Sequence, residues 1–191
     1  TRGDRPERDL LRAASDRAAE LGITAVGDMV RDHRVPRAYR DLARDGDLGL
    51  RVRLNYWTDF LDALERTGLS TGDGDDLVRV GAVKSYTDGS LGARTARLSE
   101  PYADVDASEA GDPRGQWVVP PEEFAGYVER ADELGLQFCA HAIGDEAIAA
   151  VLGAYADTDA AAARHRVEHV EVLTDALIAR FGEVGAVASV Q

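Results

Sequence analysis

The stretch Val83-Lys84-Ser85-Tyr86-Thr87-Asp88-Gly89-Ser90-Leu91-Gly92-Ala93-Arg94 closes an apolar, β-branched run and opens a Gly-rich turn. Lys84 is the single lysine among 22 basic residues; all the others are arginine. The two cations are not equivalent. Arginine stays protonated, whereas a lysine amine can lose its proton and act as a nucleophile, a base or, once carboxylated by CO2, a bridging metal ligand. A chance surface lysine is the plain alternative, but the apolar run before it argues for a position at a strand end.

Similar apolar runs occur at 22–26, 50–56, 77–86, 136–141, 165–170 and 186–191. Helical patterns lie between them. Residues 7–21 place Leu10, Ala14, Ala18 and Leu21 on one stripe, and residues 58–67 stop at Gly68, suited to a left-handed cap. Residues 121–134 begin with proline and two glutamates and bury Phe124, Val128, Ala131 and Leu134. Residues 145–155 and 174–181 follow, with Asp145 and Thr174 as expected N-caps.

Repeated β-then-α units with nearly continuous apolar strands predict an α/β fold, a parallel sheet covered by helices. A doubly wound sheet and a TIM barrel both satisfy that pattern. Asp28, Lys84, His141 and His169 each fall at the end of a different strand, as in a (β/α)8 barrel that builds its site at one face, and no dinucleotide or phosphate-loop fingerprint follows the first strand. The barrel is the expected fold. Six strands are two short of eight, so either strands escape the reading or these residues are part of a longer barrel. Loops are expected at 70–76 and at 99–115, the second long enough for a lid or substrate loop.

The length fits one domain, and 45% hydrophobic residues fit a globular one. Acids outnumber bases 35 to 22, for a net charge of −13, which argues against nucleic-acid binding. No apolar run reaches membrane-spanning length. Acid-rich, arginine-based composition suits concentrated salt, so a halophilic source is expected. The lone Cys139 excludes an internal disulfide, no signal peptide is visible, and a cytoplasmic location is expected. The chain starts at Thr1 within a charged helical pattern, which reads as the interior of a longer polypeptide. Homo-oligomerisation is left open.

Two imidazoles and one lysine at successive strand ends can share one small volume. Neutral imidazole is the commonest metal ligand, and a carboxylated lysine adds two oxygens able to bridge two cations. Lys84, His141 and His169 are therefore the candidate catalytic and metal-ligating residues, against the plain reading of each histidine as a hydrogen-bonded core residue. His165 and His169 are four apart but on a strand, about 13 Å from each other, which sets His165 outside the site. His33 is expected in solvent, and Cys139 below the site. Asp88 is read equally as a turn residue and, with Arg94, as a substrate-binding element at the mouth of the site. Asp145 is a cap first and a partner of His141 second. Glu168, next to His169, is expected on the opposite face.

Taken together, residues 22–28, the lysine and Asp88-Gly89-Ser90-Leu91-Gly92-Ala93-Arg94-Thr95-Ala96 run, His141-Ala142-Ile143-Gly144-Asp145-Glu146-Ala147-Ile148, Arg166-Val167-Glu168-His169 and Ser189-Val190-Gln191 resemble the amidohydrolase superfamily. Within it they resemble the amidohydrolase-3 group of YtcJ-like and N-substituted formamide deformylase-like enzymes. The resemblance implies a metal-dependent hydrolase acting on non-peptide C–N bonds of a small-molecule amide. The metal is usually zinc, one or two ions. By position it matches Lys84 to the strand-four lysine that can be carboxylated, and His141 and His169 to the strand-five and strand-six ligands. It also implies that residues 1–191 are a partial catalytic barrel, strands two to seven, inactive alone. The first-strand His-x-His would then precede Thr1, and the last-strand aspartate would follow Gln191. Gly27 departs from the family pattern, which often has a larger residue there. A Schiff-base lyase using Lys84 and a non-catalytic barrel module are the alternatives.

Overall fold

Gly22 decides where the first strand begins. Its φ of 75° ends the helix α1 (Arg5–Glu20), and Leu21, Gly22 and Ile23 N–H groups close back onto Arg17, Ala18 and Ala19 carbonyls. The strand β1 (Ala25–Val30) therefore starts three residues later than the apolar run suggested. The computed structural model describes residues 5–104 and 111–191. The other strands are β2 (Arg51–Trp57), β3 (Val78–Tyr86), β4 (Gln137–Ala142), β5 (Arg166–His169) and β6 (Val187–Ser189), and their order in the sheet follows the chain. The β1–β2, β4–β5 and β5–β6 pairs are parallel, as continuous apolar strands separated by helices require. The helices are α2 (Val35–Arg44), α3 (Leu61–Thr67), α4 (Pro121–Glu133), α5 (Asp145–Ala156), α6 (Ala160–Ala163) and α7 (Asp175–Val184). The chain divides within β3 into two units, Thr1–Val83 and Lys84–Gln191.

In the first unit the sequence reading missed α2. No element was expected there, yet Pro36, Ala38, Tyr39 and Leu42 form a buried stripe and a proline starts the helix. Asp28 lies two residues before the end of β1, and its carboxylate accepts the Tyr39 hydroxyl at 2.9 Å. Its side chain is thereby engaged with α2. Gly27 has a local cause: a Cβ there would meet Asn55 Nδ2 at 3.0 Å, and one at Gly81 would meet Asn55 Oδ1 at 2.2 Å. Asn55 Oδ1 accepts the Ala82 N–H at 2.8 Å, so the two glycines make room for a side chain that bonds across strands. His33 is solvent-exposed, as expected.

In the second unit Phe124, Phe138 and Tyr155 form a mutually tilted aromatic core, and Tyr155 also packs on His165 with ring centroids 4.9 Å apart. His165 is fully buried, and its Nδ1 accepts the Phe138 N–H at 3.1 Å. Thr174 caps α7 as read, its hydroxyl accepting the Leu177 N–H at 3.3 Å. Cys139 is a buried free thiol. Among the described residues no helix is long and apolar enough to cross a membrane.

Burial pushes the His165 imidazole below its ordinary pKa, with Asp132 opposing. An imidazole harder to protonate when folded leaves stability intact above the unfolded value of about 6.5. That stability is lost as the pH falls below this value towards the folded one. The urea midpoint is thus expected to drop on acidification below about pH 6.5. The drop is expected to be smaller in His165→Asn, whose amide oxygen still accepts the Phe138 N–H but takes up no proton. Equal acid sensitivity of the two proteins would refute this.

Candidate active site

Lys84 and Tyr86, two apart on β3, share a strand face, and the Lys84 Nζ lies 5.9 Å from the Tyr86 ring centroid. Tyr86 packs edge-on against His141 at 4.8 Å, and His141 in turn against His169 at 4.5 Å between ring centroids. Thr87 joins the β3 and β4 ends by donating its N–H and its hydroxyl to the His141 carbonyl, at 3.0 and 2.6 Å. Lys84, Tyr86, His141 and His169 thus follow one another in a row of contacts, and Tyr86, which the sequence reading did not single out, lies between Lys84 and His141.

The two imidazoles engage different nitrogens. His141 Nε2 lies 2.8 Å from the Gly89 carbonyl oxygen, which can only accept, so the ring proton is on Nε2. His141 Nδ1 is buried and has no hydrogen-bond partner among the described residues. In His169 it is Nδ1 that is engaged, 2.9 Å from the Gln191 Oε1 acceptor. Burial lowers the His141 pKa to about 4, with His169 and Lys84 adding to the effect and the Gly89 carbonyl opposing it. His141 is thus neutral at physiological pH, the form that ligates metals.

The parallel register sets a charged group beside these rings. Cys139 pairs with Arg166, His141 with Glu168, and Glu168 with Ser189, so all five residues lie on one face. Glu168 accepts the Arg166 Nε–H at 2.8 Å and the Cys139 thiol at 3.2 Å. Glu168 therefore faces inward, contrary to the expectation from sequence. His169 and Val170 have φ of 80° and 52°, and this left-handed corner breaks the alternation that would have set the neighbours on opposite faces. Burial acts against the Glu168 carboxylate, but hydrogen bonds from Ser189, Arg166 and Cys139 hold its pKa below the ordinary value. Burial, reinforced by Glu168, pushes the Cys139 thiol up to about 12. It stays protonated and serves as packing beside the site. Lys84 is 5% exposed, and burial lowers its ammonium pKa, with Arg166 helping and Cys139 and Glu168 opposing.

Asp88 is 1% exposed. Its carboxylate accepts the N–H groups of Arg97 (2.8 Å), Ile143 (3.1 Å) and Gly144 (2.8 Å), binding the post-β3 loop to the turn after β4. Burial raises its pKa while these N–H groups oppose. With three backbone N–H groups on its carboxylate, Asp88 braces the loop after β3 to the turn after β4. Arg94 lies on an exposed turn with φ 54°, its guanidinium holding Asp104 at 2.7 Å. Asp145 is not the N-cap of α5, a position held by Gly144; its carboxylate accepts the Ser99 N–H at 2.9 Å. The buried Arg97 pairs with Glu146 at 2.7 Å and Asp112 at 2.6 Å. The loop read as a lid is thus pinned at both flanks; its residues 105–110 lie outside the described residues.

Among the described residues no three His, Cys, Asp or Glu side chains gather as an ion site. The donor set is His141 with a buried, unpartnered Nδ1, the neighbouring imidazole of His169 and one buried lysine. That set fits a divalent cation if Lys84 is carboxylated or further ligands come from elsewhere.

Alternating parallel strands and helices with polar residues at successive strand ends define a barrel-type α/β fold. The amidohydrolase family model matches residues 5–191, and the chain belongs to the amidohydrolase family. It is 31% identical over 202 residues to Protein LONG AFTER FAR-RED 3 of Arabidopsis thaliana, covering 96% of this chain and 33% of that one. It is 34% identical over 151 residues to the putative amidohydrolase YtcJ of Bacillus subtilis, covering 78% of this chain and 27% of that one. An uncharacterized metal-dependent hydrolase from Pyrococcus horikoshii superposes with a TM-score of 0.87 at 34% identity, over 98% of this chain and 37% of that one. The fold is accordingly part of the TIM barrel of metal-dependent hydrolases. The chain spans about a third of the length of these relatives.

A Cβ on Gly144 would meet the Arg97 carbonyl oxygen at 1.9 Å. Gly144→Ala is therefore expected to lower stability by about 1–3 kcal/mol through overpacking and to expose the 88–97 loop to protease. An unchanged urea midpoint and cleavage pattern would count against this packing.

Proposed function

We propose that these residues form part of a metal-dependent amidohydrolase acting on a non-peptide C–N bond of a small molecule. His141 Nδ1, His169 Nε2 and carboxylated Lys84 are its contribution to a divalent-ion site, with zinc as the metal. The observation that carries this reading is the buried, unpartnered Nδ1 of a neutral His141 packed against His169. A buried polar atom without a partner costs about 1–3 kcal/mol, and a cation would satisfy it.

A bound divalent ion supplies Lewis acidity and lowers the pKa of water. The chain's own groups do the rest. Lys84 is held in a buried place that disfavours its ammonium form, which raises the share of free amine. The amine nitrogen adds to CO2, forming an N–C bond and releasing a proton, and the product is a carbamate anion. Arg166 is committed to Glu168, so the carbamate anion would be balanced by the bound cation and not by this ion pair. Tyr86 and Cys139 supply uncharged surface around the imidazoles. The acidic balance fits a cytoplasmic protein of a salt-rich cell and no nucleic-acid partner.

In the full-length protein, elemental analysis is expected to find a divalent ion. Lys84→Ala, His141→Ala and His169→Ala are each expected to lose the ion and to lower hydrolysis of formamide- or amide-type substrates. The loss should exceed the 10–100-fold, roughly, of outer-shell changes, and bicarbonate should restore wild-type activity after CO2 removal. The absence of any divalent ion under all loading conditions would overturn the reading. Borohydride trapping of a carbonyl substrate on Lys84 would instead establish the Schiff-base alternative.

A further inference from the structure

The run from Asp88 to Arg97 folds into a tight clasp. Thr95 and Ala96 N–H groups both return to the Ser90 carbonyl, at 3.0 and 3.1 Å, and the Gly89 N–H returns to the Thr95 carbonyl at 3.1 Å. A Cβ on Gly89 would meet Thr95 Oγ1 at 2.0 Å, so the turn closes only without a side chain there. One carboxylate joins this clasp to the end of β4: Asp88 holds Arg97 on one side and Ile143 and Gly144 on the other. The outcome is that the carbonyl of the next residue, Gly89, is aimed at His141 Nε2, with Asp88 Oδ1 also 3.6 Å from that nitrogen.

We propose that Asp88 is a positioning residue for His141, holding the Gly89 carbonyl on Nε2–H so that Nδ1 stays deprotonated and presented to the site. The inference rests on the reading of His141 as an ion ligand for its purpose, but not for its geometry. Both neighbours of Nε2, a carbonyl oxygen and a carboxylate oxygen, attract a proton there, and nothing among the described residues attracts one to Nδ1. Ring orientation follows from the same contacts, because Thr87 and Asp88 tether the backbone at 141, 143 and 144 while Gly89 engages the ring tip. Asp88 touches neither substrate nor ion; it acts through His141.

The test uses the full-length protein treated with chelator and nitrogen-15 imidazole spectra at neutral pH, followed by zinc titration. Wild type is expected to show His141 with its proton on Nε2, slowly exchanging. Asp88→Asn replaces one acceptor oxygen by a donor, and is expected to lose that protected proton and to weaken zinc affinity about 10–100-fold. Asp145→Asn, which loosens the same loop at Ser99 without touching His141, is expected to change neither. A His141 proton on Nδ1 in wild type overturns the inference whether or not Asp88→Asn folds. Equal loss in Asp145→Asn also overturns it, since the effect would then be general loosening. A protected Nε2–H in a wild-type protein that binds no divalent ion supports the positioning role and refutes the functional reading instead.

Discussion

The buried carboxylate of Asp88 ties together two segments that the chain separates by more than fifty residues, the clasp after β3 and the turn after β4. Desolvating a carboxylate costs several kcal/mol, and the raised pKa indicates that burial outweighs the relief from its three backbone donors. Its removal would nevertheless be worse, because three buried N–H groups would lose their acceptor at about 1–3 kcal/mol each. The interaction is therefore better understood as specifying one geometry than as a large source of stability. Gly89 and Gly144 belong to that geometry, since a Cβ on either would strike the clasp.

Around the imidazoles the electrostatics divides into two zones. Arg166, Glu168 and Ser189 form a hydrogen-bonded ionic group that keeps its charges satisfied internally. Next to it, Lys84 and His141 are both pushed towards their neutral forms by burial. Neutral imidazole and free amine are the forms that the proposed site requires, one to ligate a cation and the other to add CO2. The family's metal-dependent hydrolases provide the setting, and these residues account for about a third of the length of such relatives.

Much of this was legible in the sequence because it depends on local rules. Alternation of apolar runs with amphipathic stretches located all six strands, and Lys84, His141 and His169 stood out as polar residues where apolar strands end. The misreadings also have particular causes. The α2 helix was hidden because its buried stripe is short and interrupted by arginines. Glu168 was set on the wrong face because the left-handed backbone at His169 breaks a period of two, and no residue type there announces it. Asp88 was read equally as a turn residue and a substrate-binding element, and Asp145 first as a cap; their partners Ile143 and Ser99 lie far away along the chain.

Residue order by itself determined the α/β class, the family motifs and which three side chains end adjacent strands, since periodicity and residue chemistry are properties of neighbours in sequence. Which nitrogen each imidazole engages, which carboxylates face the rings and which residue braces them were decided only in the tertiary structure. Hydrogen-bond acceptors and desolvation come from groups distant in the chain: Gly89 for His141, Gln191 for His169, and the β4 turn for Asp88.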